Sequence, residues 1–176
     1  MQAEVKVPEF VERGFHLAYG PEAGDFRFNV MVVLTVLAAV LYFASGYAAL
    51  VVFGAATGCT AYYFYPLKEK KARIGGGQYG VFIDGFGLVS WRAISDVVLI
   101  TYASRFDEIK ELQFRLNQPL SKALLVDWRD LPIWRLLMKL PWTMSHENVV
   151  RIALAPFAPP PEDVHREFHR LWKYYG

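Results

Sequence analysis

Residues 28–67 read FNVMVVLTVLAAVLYFASGYAALVVFGAATGCTAYYFYPL, and this run decides the fold. No charged residue lies between Arg27 and Lys68. A helix that crosses a bilayer needs about 20 predominantly apolar residues, so the run has room for two. Ser45-Gly46, near its middle, is the break. The pattern predicts a two-helix transmembrane hairpin, with one helix over residues 28–44 and the other over residues 47–65. The first limb is slightly short and can begin nearer Phe26, with Arg27 snorkelling to the interface. The alternative is a hairpin buried inside a soluble all-α protein, but a soluble helix of this length normally keeps a polar face.

Working outward, the flanking charge sets the orientation. Arg13 and Arg27 precede the first helix, and Lys68, Lys70, Lys71 and Arg73 follow the second, whereas the turn carries no charge. The positive-inside rule places both termini in the cytoplasm. Tyr42, Phe43 and Tyr47 around the turn, and Tyr62, Tyr63, Phe64 and Tyr65 at the other end, suit the two headgroup levels. Gly54 and Gly58 form a GxxxG pattern that lets helix backbones approach closely, either within the hairpin or against another chain. The basic collar of Lys68, Lys70, Lys71 and Arg73 serves topology and can attract anionic lipid, at about 1 kcal/mol per basic residue near the surface.

The chain has 176 residues, and its apolar share of 54% exceeds the usual value of about 45–50%, the hairpin supplying the excess. A net charge of +2 makes no case for nucleic acid as a partner. The single cysteine, Cys59, lies inside the second apolar helix, where it can form neither an internal disulfide nor a metal cluster. Residues 1–25 are polar and mixed in charge, so a cleavable signal peptide is not expected here. They read as a cytoplasmic arm with at most a short helical turn over residues 9–15, which lies along the membrane or packs on the C-terminal domain. The predicted divisions are this arm (1–25), the hairpin (26–66) and a cytoplasmic domain (67–176).

In the domain, Tyr79-Gly80-Val81-Phe82-Ile83 and Leu88-Val89-Ser90-Trp91 are strands around an Asp84-Gly85-Phe86-Gly87 turn, since Asp-Gly between apolar runs is a strong hairpin signal. Further strands are expected at residues 97–102, 111–116 and 148–153, and a strand or helical piece at 123–126. Pro161-Glu162-Asp163 opens a final helix with acidic residues at its positive end. Val164, Phe168, Leu171, Trp172 and Tyr175 recur at helical spacing, which gives that helix one apolar face to lay on a sheet.

Several patterns that imitate chemistry have plainer readings. Gly75-Gly76-Gly77-Gln78-Tyr79-Gly80 matches G-x-G-x-x-G, but it follows a charged collar and opens a β-hairpin, so it reads as a flexible linker. His165 and His169 share a helix face, lack a third ligand and read as solvated. Ser145-His146-Glu147 holds triad residue types as sequence neighbours, which do not make a triad; Ser145 reads as a cap. Asp107, Glu108 and Glu111 read as a solvated loop. No catalytic residue, cofactor site or metal site is indicated.

Residues 128–142 carry the most information about function. Trp128, Trp134 and Trp142 are interleaved with leucines, Ile133, Met138, Arg129, Arg135 and Lys139. Asp130-Leu131-Pro132 opens a helix that runs through Trp134, Leu137 and Leu140 and stops at Pro141. A basic amphipathic helix rich in Trp and Leu lies on a membrane surface, docks on a partner through Trp and Arg anchors, or packs in its own core.

A hairpin, then strands, then a closing helix resembles the bacterial membrane-anchored proteins with pleckstrin-homology-like domains, the YcxB-like and YdbS-like group. The strand at residues 79–83, the Asp84-Gly85-Phe86-Gly87 turn and Ser90-Trp91-Arg92-Ala93-Ile94 carry the resemblance. It implies an α+β domain, a small antiparallel β-sandwich or barrel capped by a C-terminal helix, in the bacterial cytoplasmic membrane, with no shared catalytic set. The helix expected near residues 130–140 departs from the simplest seven-stranded plan. The expectation is a non-catalytic membrane-anchored binding or scaffold module, an accessory subunit of a larger membrane complex. Its contact residues for lipid or partner would be Lys68, Lys70, Lys71, Arg73, Trp128, Trp134, Arg135, Lys139 and Trp142, with Gly54 and Gly58 packing helices. An anionic-lipid sensor is the alternative, a lipid- or peptide-modifying enzyme a more remote one, and self-association is open.

Overall fold

Two long helices and a β-domain make up the protein in the computed structural model, which describes residues 14–21, 23–103, 108–129, 132–145 and 148–176. Helix α1 (Asp25–Ser45) ends where Gly46 takes a left-handed φ of 71° and its N–H bonds to the Tyr42 carbonyl. Helix α2 (Ala48–Phe64) returns antiparallel and runs into a 3-10 turn, Tyr65–Leu67. Both limbs are long and apolar enough to cross a membrane, and only 6% and 11% of their apolar windows are buried. That rules out a hairpin hidden in the core of an all-α protein.

The two helices meet through small residues. A Cβ on Gly54 would stand 3.4 Å from the Ala38 Cβ, and one on Gly58 would stand 3.7 Å from Thr35 Cγ2. Thr35 donates to Thr57 Oγ1 at 2.9 Å between them. The GxxxG face therefore lies against α1 of the same chain.

Among the described residues the domain has two antiparallel sheets. Strands β1 (Phe15–Ala18), β2 (Ala72–Gly77), β3 (Gly80–Ile83), β4 (Gly87–Ser90) and β7 (Leu124–Asp127) form the first, in that order. Strands β5 (Ile94–Ala103), β6 (Glu108–Leu116), β9 (Val149–Ala153) and β8 (Trp142–Ser145) form the second. Two one-turn helices, α3 (Leu120–Ala123) and α4 (Ile133–Leu136), lie in the connections. Helix α5 (Pro161–Tyr175) closes the fold, with Val164 and Phe168 fully buried and Trp172 Nε1 donating to the Ile94 carbonyl. Tyr175, at the end of its apolar stripe, stays exposed.

Strand β1 changes the domain plan. Residues 15–18, assigned to an arm whose docking the sequence leaves open, pair with β2, Phe15 opposite Gly76 and Leu17 opposite Ile74. Phe15 packs edge-on against Phe168. The expected helical turn over residues 9–15 falls largely outside the described residues, and Phe15 itself is strand. The hairpin thus leaves the sheet from β1 and re-enters it at β2, an insertion between two paired strands. Its base is tight: a Cβ on Gly24 would fall 2.4 Å from the Leu67 Cβ.

The expected glycine linker is also overturned. Gly75, Gly76 and Gly77 are strand β2, buried between β1 and β3. Missing side chains here make room for neighbours: a Cβ on Gly76 would stand 2.7 Å from Leu171 Cδ1 and 3.3 Å from the Trp91 ring. Trp91 Nε1 donates to the Gly77 carbonyl at 2.7 Å. Backbone pairing and a ring laid over the glycines hold the segment that flexibility was expected to loosen.

Other expectations shift at the edges. The Asp84 turn is present, with Gly85 at φ 72°. Residues 120–127 are both helical turn and strand. Glu108 and Glu111 belong to β6 rather than to a loop, Asp107 lies outside the described residues, and Ser145, expected to cap a helix or a turn, ends β8 just before residues 146–147, which also lie outside them. His165 is half-buried, its Nε2 3.1 Å from the Val97 carbonyl, and stacks near His169, so the pair packs on the sheet rather than standing in solvent. No group of three or more His, Cys, Asp or Glu among the described residues is placed to hold a metal.

Candidate functional site at the base of the hairpin

The predicted long helix over residues 131–140 is a single turn, α4. Pro132 is extended (φ −60°, ψ 150°), and after Leu137 the chain straightens toward β8, where Trp142 pairs opposite Ile152. Four helical residues cannot stand alone, because nucleation fixes three residues for one hydrogen bond. External bonds hold this turn. Tyr62 donates its hydroxyl to the Trp134 carbonyl at 3.0 Å, and the Lys139 N–H donates to the Tyr63 carbonyl at 3.0 Å. The segment therefore lies along the last turn of α2.

Its side chains divide by direction. Ile133, Trp134 and Leu137 point outward, 76%, 64% and 61% exposed. Trp128 instead packs on Phe82 and Trp142 on Phe86, with ring centroids 5.5 and 4.8 Å apart. Those two tryptophans anchor the segment's ends in the domain. Arg135 turns inward, and its guanidinium reaches Asp84 at 2.9 Å.

Asp84 is the centre of an ion cluster. Arg73, 2% exposed, pairs with it through Nη1, with Glu69 at 2.6 Å through Nη2, and donates to the Pro66 carbonyl at 2.9 Å. The Arg73 guanidinium also lies 5.5 Å from the Tyr19 ring. Burial pushes the Tyr19 hydroxyl up to about 12, with Arg73 opposing and Asp84 adding to the rise. One carboxylate thus ties together the end of the hairpin, the β3–β4 turn and the α4 segment. A buried charge survives only with such partners.

A ring of cations sits at the same level. Arg27 and Lys139 both face Phe64, 5.8 and 5.9 Å from its centroid, and Lys68 lies 4.9 Å over Phe28 while bonding to Asn29. Burial, and then the neighbouring Arg27, hold the Lys139 ammonium below the usual lysine range. Lys70 and Lys71 are exposed.

Of the residues expected to contact lipid or partner, the structure brings Lys68, Arg73, Trp134, Arg135 and Lys139 together at the hairpin base. Arg73 and Arg135 are turned to Asp84, and Trp128 and Trp142 into the domain, so these four belong to the scaffold. Gly54 and Gly58 lie apart, between the helices. Asp84 and Tyr19 went unnoticed as site residues. Asp84 carried only a turn signal, and nothing local in the sequence marks Arg73 as the buried member of its basic collar. Compared with family models, with curated proteins and with solved structures, the chain finds no match.

Proposed function

We propose that this protein is a non-catalytic membrane-anchored module that presents a docking face at the membrane surface, an accessory or assembly subunit of a larger membrane complex. The hairpin would span the bilayer twice, with both termini and the domain in the cytoplasm, the bacterial inner membrane being the setting that the family resemblance implies. A pleckstrin-homology-like reading of the domain goes with it. Two antiparallel sheets closed by α5 support that reading, although nine described strands exceed the simplest seven-stranded plan.

One observation carries the proposal: Ile133, Trp134 and Leu137 are bare on a segment hydrogen-bonded to the last turn of α2. Aromatic and aliphatic anchors held on a rigid support are what a binding hot spot requires. Insertion between β1 and β2 fixes the orientation of this face as well as its distance from the bilayer, which raises the effective concentration for partners in the same membrane. The anionic-lipid reading retains Lys70 and Lys71, but Arg73 and Arg135 give their charge to Asp84.

Co-purification tests the proposal. The tagged protein, extracted from its native membrane in mild detergent, is expected in a stoichiometric assembly larger than itself. Ile133→Ser with Leu137→Ser should release the partner without unfolding the domain. Recovery of a lone monomer or a homo-oligomer would overturn the accessory-subunit reading.

A further inference from the structure

A second feature lies in the outer face of the other sheet and does not depend on the anchoring role. Alternation along β6 sends Leu112 and Phe114 into the core and Gln113 and Arg115 to the opposite face. Across the β6–β9 pairing Gln113 stands opposite Arg151, and Arg115 opposite Val149. The two arginines are therefore diagonal neighbours, at a typical backbone spacing of about 7–8 Å. With Ser95, Gln113, Leu116 and Val149 they border a depression of about 390 Å³.

The charges there are unbalanced. Arg73, Arg129, Arg135, Arg166 and Arg170 each have a carboxylate partner. Arg115 and Arg151 have none among the described residues. Arg151 Nε is shut off from water and has no hydrogen-bond partner among the described residues. The nearby acids are engaged elsewhere: Asp96, opposite Arg115, accepts from the Val97 N–H, and Glu111 lies 3.5 Å from the Gln113 amide. Gln113, 4% exposed, is fixed by a 3.1 Å bond to the Tyr102 hydroxyl. Adjacent like charges repel, and an enclosed unpaired donor is costly.

A group that brings two negative charges and several acceptors relieves the repulsion, through the Nη atoms of the two forks. A phosphomonoester carries about −1.5 to −2 at neutral pH, and two guanidinium forks match its oxygens bidentately. The volume, near the small end of the ~300–1,000 Å³ typical of ligand pockets, leaves room for an organic group beyond the phosphate. Leu116 and Val149 offer that group an apolar wall.

We propose that this depression binds a phosphomonoester, clamped between Arg115 and Arg151. The ester would belong to a soluble molecule, since the depression lies at the end of the domain away from the hairpin base. The site lies where Leu116 pairs with Ile94, beside the Trp91–Ala93 turn and at the end of β4 remote from the Asp84 turn.

Thermal unfolding of the full-length protein in nanodiscs tests this. In zwitterionic lipid, inorganic phosphate or phenyl phosphate should raise Tm saturably, by about 5–10 °C at a hundredfold excess over Kd. Sodium chloride at equal ionic strength should not. Arg115→Gln and Arg151→Gln should each abolish the shift, while Arg166→Gln, on α5, keeps it. Without phosphate, Arg115→Gln should melt no lower than the parent, because a repulsion is removed. The proposal is overturned if none of these phosphates shifts Tm saturably, if the arginine variants respond like the parent, or if Arg115→Gln melts lower than the parent when phosphate is absent.

Discussion

Arg73 holds a full charge almost entirely out of water, and Asp84 is what makes that tolerable. Two guanidiniums, those of Arg73 and Arg135, converge on this carboxylate. Removing one partner of a buried pair costs about 3–5 kcal/mol, because the remaining charge stays desolvated. Asp84→Ala should therefore lower stability by about that amount in denaturant titration and loosen the α4 segment as well. Glu69→Ala should cost less, since Arg73 keeps Asp84 and the Pro66 carbonyl. Tyr19 supplies a pH test of the same cluster. Its folded pKa is raised from 10.0 to about 12. Below pH 10 both folded and unfolded chains hold the proton and the stability is fully present. Between pH 10 and 12 the unfolded chain gives the proton up first, so stability falls as pH rises, by about 3 kcal/mol for two units. Tyr19→Phe keeps the ring over Arg73 and should lack this share of the alkaline loss in denaturation curves taken from pH 9 to 12.

Strand β2 shows how an element can be set by what it lacks. Its three glycines have poor strand propensity, yet two neighbouring strands supply hydrogen bonds, and Leu171, Trp91 and Phe168 press on Gly76. Gly76→Val should overpack this contact and cost about 1–3 kcal/mol, read as a lower Tm and faster proteolysis of α5. Gly76→Ala should cost less, because the nearest atom, Leu171 Cδ1, is the tip of a flexible side chain. The α4 turn is the opposite case. Its sequence has a helical apolar pattern, but Pro132 starts it late and the pairing of Trp142 with Ile152 takes the chain into a strand.

For the whole molecule, the controlling fact is where the hairpin is inserted. A domain strung after a membrane helix would tumble on its linker. Here β1 and β2, hydrogen-bonded to each other, hold the two ends of the hairpin, and the Asp84 cluster braces its base. The face bearing Ile133, Trp134 and Leu137 is thereby fixed relative to α1 and α2. A rigid presentation lowers the entropic cost of binding a partner.

The elements legible in the sequence are those with local causes. The charge-free run specified two apolar helices, Asp-Gly specified the β3–β4 turn, alternation specified β6, and helical spacing specified α5. Each signal is a period or a turn residue that the backbone obeys wherever it stands. The rest needed the tertiary structure. Pairing of β1 with β2 joins residues on either side of the hairpin, and no local pattern records it. The burial of Arg73, the convergence of Arg135 on Asp84 and the unpaired neighbours Arg115 and Arg151 follow from which strands lie side by side. Sequence could name the basic and aromatic residues of the candidate site; only the packing decided which of them bind the protein to itself and which face outward.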